Sequence, residues 1–60
     1  MTKAVCVKTR SLNGMTVWIK GVEYVAMKTD SVFGQWRIST EHGVFAYVSQ
    51  SDFDEYFVES

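Results

Sequence analysis

Sixty residues, 47% of them hydrophobic and nine of them aromatic, with a formal net charge of −1, describe one small ordered domain spanning 1–60 and exclude a disordered or fibrous chain. Cys6 is the sole cysteine, so no disulfide within the chain can supplement a thin core, which fits a reducing compartment. The longest apolar run, Val44 to Val48, is too short to span a bilayer, and no charged leader followed by an apolar stretch opens the chain; a cytoplasmic location without membrane contact is expected.

Valine, isoleucine, threonine and aromatic residues dominate and alternate with period two, so strands are expected and proline is absent, in keeping with continuous ladders. Lys3 to Thr9 reads as the first strand, Ala4 and Cys6 on one face and Val5 and Val7 on the other. Ser11-Leu12-Asn13-Gly14 is a loop with an Asn-Gly turn signal, and Met15 to Ile19 reads as an apolar continuation of that loop. Val22 to Lys28 is the clearest strand, with Val22, Tyr24 and Ala26 opposite Glu23, Val25 and Met27. After a connection over 29–34, Gln35 to Ser39 alternates cleanly, Trp36 and Ile38 inward and Arg37 outward. The turn Thr40-Glu41-His42-Gly43 returns the chain as Val44 to Val48, making a hairpin. Hydroxyl and acidic residues around Phe53 suit one helical turn, of 3-10 type, and Tyr56-Phe57-Val58 forms a short last strand.

That order predicts an all-β domain: a five-stranded SH3-like barrel with one short helical turn before the last strand. A wholly antiparallel open sheet is the main rival; closure is expected over it because an open sheet this apolar leaves a face uncovered where no long helix is available.

The Lys3-Ala4-Val5-Cys6-Val7-Lys8 opening, the spacing Trp18-x-x-Gly21-x-x-Tyr24, and Trp36-Arg37-Ile38 followed by Gly43, Tyr47, Ser49 and Phe53 carry a resemblance. On these residues the chain resembles short phage and prophage proteins that look like small SH3-like barrels without assigned activity. The likeness covers nearly the whole chain and implies a viral origin and no mechanism. Two departures stand out: the turn before Gly43 holds only one acid, Glu41, and Met15 to Ile19 is more apolar than the loop in that group.

Every candidate catalytic group stands alone. His42 has no second histidine or cysteine pair to make a metal site or an acid–base pair, and Cys6 is a small hydrophobe between valines. Asp52, Asp54 and Glu55 lack the spacing and glycine of a calcium loop and suit a helix start. No enzyme, cofactor or metal is therefore expected.

Binding remains. Exposed tryptophan and tyrosine beside the long loops form the usual ligand platform of SH3-like barrels, and Trp, Tyr and Arg are enriched in interface hot spots. Met15, Trp18 and Phe33, in or beside loops, are the expected contact anchors, with packing into the core the alternative for Trp18 and Phe33, and with Arg37 and the acids Asp52 and Asp54 as electrostatic guides. A host or viral protein is the expected partner. Nucleic acid competes, because Lys3, Lys8, Arg10, Lys20 and Arg37 interleave with aromatics, yet the isoelectric point near 5.6 is far from a basic footprint. Self-association through an edge strand, giving a homodimer, is a third reading.

Overall fold

The computed structural model describes residues 2–60, leaving residue 1 of the expected domain outside it. The chain forms β1 (Thr2–Cys6), β2 (Arg10–Leu12), β3 (Met15–Trp18), β4 (Glu23–Lys28), β5 (Trp36–Ser39), β6 (Phe45–Val48), helix α1 (Gln50–Tyr56) and β7 (Phe57–Glu59). A five-stranded antiparallel sheet runs in the order β6-β5-β4-β1-β7, and β2 and β3 pair as a separate two-stranded sheet. The domain is thus small and mostly β.

Three expectations need correction. Met15 to Trp18 is a strand and not loop: Asn13 and Gly14 both take positive φ, 52° and 79°, the conformation of a tight hairpin turn, and so fold β3 back on β2. The helical turn is a seven-residue α-helix, begun by Ser49, whose hydroxyl accepts the Asp52 N–H at 3.1 Å. The sheets do not close into a barrel: β6 and β7 end the large sheet on opposite sides. Closure is not needed to cover the apolar face, because α1 and the β2–β3 hairpin bring Phe53 and Trp18 over it.

Strand alternation sorts the large sheet into two faces. Inward go Ala4, Cys6, Tyr24, Ala26, Trp36, Ile38 and Phe57, all buried. The register stacks them across strands, Ala4 opposite Tyr24, Ala26 opposite Ile38, and Cys6 opposite Phe57. Phe57 is the hub of an aromatic core: Trp18 meets its ring edge-on with centroids 5.0 Å apart, and Phe53 stacks at 5.6 Å. Phe53 also stacks flat on Trp36 at 4.0 Å. These rings supply the large buried area that a short chain needs.

Tyr24 ties the core to two distant segments. Its hydroxyl accepts the Ile19 N–H at 2.8 Å and donates to Glu41 Oε2 at 2.5 Å, linking β4 to the end of β3 and to the β5–β6 turn. Burial, followed by the bond donated to Glu41, pushes the Tyr24 hydroxyl up from 10.0 to about 12. The folded state therefore holds the neutral phenol more tightly than the unfolded chain does. Its contribution to stability is complete below pH 10 and is lost as pH rises toward 12. That loss is on the order of 2 kcal/mol. Urea melts across this alkaline range should show it, and Tyr24→Phe should remove that part of the decline; an unchanged alkaline slope in the variant contradicts the assignment.

Candidate functional site

The outward face of the large sheet carries exposed and half-buried apolar side chains. Val25 and Met27 on β4, Phe45 and Tyr47 on β6, and Val58 on β7 project from it, and the loop before β5 adds Phe33. Phe33 is 75% exposed and its neighbour Val32 is 94% exposed, while Phe45 and Tyr47 stand about half in solvent at 50% and 41%. Phe33 and Tyr47 lie together, ring centroids 5.8 Å apart, so loop and strand form one aromatic surface.

Arg37 sits at the middle of this surface. Register places it between Met27 on β4 and Tyr47 on β6. Its guanidinium lies over the Phe45 ring, 4.5 Å from the centroid, a cation–π contact. The Met27 sulfur, 3.9 Å from one terminal nitrogen, is a weak acceptor, and the buried Nε has no partner. Among the described residues no carboxylate pairs with Arg37; the ion pairs are Lys3 with Glu23 and Lys8 with Glu55. Glu23, the acid on this side of the sheet, is taken at the β1 end by Lys3 and by the Ser60 hydroxyl.

The anticipated contact residues divide sharply. Phe33 is exposed, and Arg37 projects outward beside it on the same surface. Met15 is exposed but belongs to the two-stranded sheet, just after the Asn-Gly turn. Trp18 is a correction: only 2% of it is exposed, and its indole N–H donates to the Ser39 carbonyl at 2.9 Å. It is a core side chain because the hairpin folds it onto Tyr56 and Phe57. Asp52 and Asp54 are exposed on α1, which packs by Phe53 against the inward side of the sheet, so they do not share a surface with Arg37. Asp54 accepts from the Gln50 side chain at 2.9 Å.

Trp36, the other tryptophan, offers no open platform. Phe53 covers one side of it, the Lys28 ammonium stands 5.5 Å from its ring centroid, and its indole N–H is held by Gln50 Oε1 at 2.9 Å. Sequence reasoning placed Phe45 and Tyr47 on a strand but did not mark them as surface. All five residues from Val44 to Val48 are apolar, so period two gives no sign of which side is wet.

His42 lies exposed in the β5–β6 turn, and Cys6 is buried with its thiol donating to the Lys8 carbonyl. Among the described residues no three His, Cys, Asp or Glu side chains come together as metal ligands would, and no helix is long and apolar enough to cross a membrane. Comparison of the chain with protein-family models, curated proteins and solved structures finds no match.

Proposed function

We propose that the chain is a small SH3-like module of phage or prophage origin that binds a host or viral protein in the host cytoplasm, inhibiting or redirecting it, and performs no catalysis. The observation that carries this reading is the exposed aromatic surface of Phe33, Phe45 and Tyr47 around an Arg37 that has no carboxylate partner. Exposed apolar surface of this kind marks interaction sites, and aromatic residues with arginine are what binding hot spots are made of. The SH3-like part rests on element order: a first strand, a short hairpin, a three-stranded meander, a helix, and a last strand that returns to pair with the first. The viral origin rests on the sequence resemblance.

Phe33→Ala and Phe45→Ala test the reading. Phe33 is largely and Phe45 half exposed, so each variant should keep the fold and lose little stability, within ~1 kcal/mol. Capture of the partner from host lysate should fall at least about tenfold for each, as for hot-spot truncations. Undiminished capture by well-folded variants would mean that the partner docks elsewhere.

Nucleic acid is the second reading, since the same arginine and aromatic rings suit a stacking base. The structure weakens its electrostatic side, because Lys3 and Lys8 each face an acid and add little field for phosphates. A gel shift that weakens steeply with salt is the sign to look for.

A further inference from the structure

We infer that β6 receives an extended segment of the partner protein as an added strand, with a carboxylate of that segment on Arg37. The inference rests on the protein-binding reading above and names how the bound segment is held.

β6 is an unprotected edge. It ends the large sheet, and its four residues, Phe45-Ala46-Tyr47-Val48, hold no charge and no proline, the usual devices that keep a free strand from pairing. The ladder also says which backbone groups are free. The Thr40 N–H donates to the Val44 carbonyl at 3.1 Å, so Val44 turns its backbone toward β5, as do Ala46 and Val48 in register with it. The N–H and C=O groups of Phe45 and Tyr47 therefore face the open edge. Backbone pairing there supplies affinity, and the side chains flanking the new strand supply selectivity.

Arg37 sets the chemistry. Its guanidinium already lies over Phe45, one strand inward from the edge, so an added strand about 4.8 Å beyond β6 carries its outward side chains within reach. An aspartate or glutamate at that place gives the guanidinium the carboxylate that this chain does not provide. Apolar residues on either side of the acid meet the rings of Phe45, Tyr47 and Phe33. A second copy of β6 is a poorer occupant: paired edge to edge it presents Phe45 and Tyr47, and no acid, to Arg37.

The probe is a displayed library of random peptides selected on the intact domain, followed by amide exchange of the labelled domain with a selected peptide. Enriched peptides should alternate apolar residues with one Asp or Glu, and the Phe45 and Tyr47 amides should become protected on binding. Arg37→Glu should weaken binding about tenfold or more, with Arg37→Gln intermediate. The inference is overturned if the enriched peptides lack a carboxylate, if binding ignores Arg37, or if the protected amides lie outside β6. It is equally overturned if the free domain forms a concentration-dependent dimer that itself protects these amides. Loss of partner capture in Phe33→Ala alongside a negative peptide result separates the two claims: the binding face then stands and strand addition does not.

Discussion

Trp18→Ala should cost the domain a large part of its stability. The indole is almost fully buried, meets Phe57 edge-on at 5.0 Å and donates to the Ser39 carbonyl, so truncation opens a cavity and orphans an acceptor in one step. Removing a buried tryptophan costs about 3 to 5 kcal/mol. A 60-residue domain holds only roughly 3 to 9 kcal/mol in total. Trp18→Phe keeps an aromatic ring against Phe57 and loses the hydrogen bond, so its cost should be nearer 1 to 2 kcal/mol, about that of one such bond plus a small void. Urea unfolding of the two variants checks the ordering. A fully folded Trp18→Ala protein with unchanged midpoint would place this residue at the surface, as its role as a contact anchor requires.

Gly34→Ala is the second large effect, and it connects stability to the binding surface. A methyl group at this position meets the Val48 backbone, 2.6 Å from the carbonyl oxygen and 2.8 Å from the nitrogen. Backbone atoms cannot rotate aside as a flexible side chain can. Either the loop that carries Phe33 or the end of β6 must move, at about 2 to 3 kcal/mol. For a domain this small the expected fall in melting temperature is roughly 10 to 20 °C. Because Phe33 is the next residue and rests on Tyr47, partner binding should also weaken by more than the unfolded fraction explains. A variant that melts normally and binds normally would show that loop and strand are not in contact.

How much of this was legible in the sequence depends on whether a segment mixes polar and apolar residues. Gln35 to Ser39 does, and its reading holds: Trp36 and Ile38 are buried, while Arg37 projects outward. Tyr24 and Ala26 likewise face inward, and Asn13-Gly14 does make the hairpin turn. Met15 to Ile19 lacks that contrast. Val17 and Trp18 turn toward the core and Ile19 stays exposed, a choice made by Tyr56 and Phe57 from the far end of the chain. Local pattern carries no trace of such a partner. The same holds for β6, where register against Arg37, and not composition, puts Phe45 and Tyr47 outside. The helix runs longer than expected because the Ser49 cap starts it firmly, and it carries Tyr56, which β-propensity alone assigned to the last strand.

Charge was the least transferable part of the reading. Arg37 and the acids of α1 are both expected electrostatic guides, but the sheet separates them. Lys8, also counted toward a basic strip, is held by Glu55 at 2.8 Å, and Arg10 donates to the Tyr56 hydroxyl at 2.9 Å. On the outward face what remains is Arg37 over the Phe45 ring, a cation suited to one well-placed acid and not to a run of phosphates.

The outward face around Arg37 is the proposed meeting place of this domain with its partner. Cross-saturation from the unlabelled partner to the labelled domain tests it most directly, because it reports contact without any substitution. Transfer should reach Phe33, Arg37, Phe45 and Tyr47, with little to Lys8, Arg10 or the helix. Transfer centred on Asp52, Asp54 and Met15, with β5 and β6 silent, would contradict it.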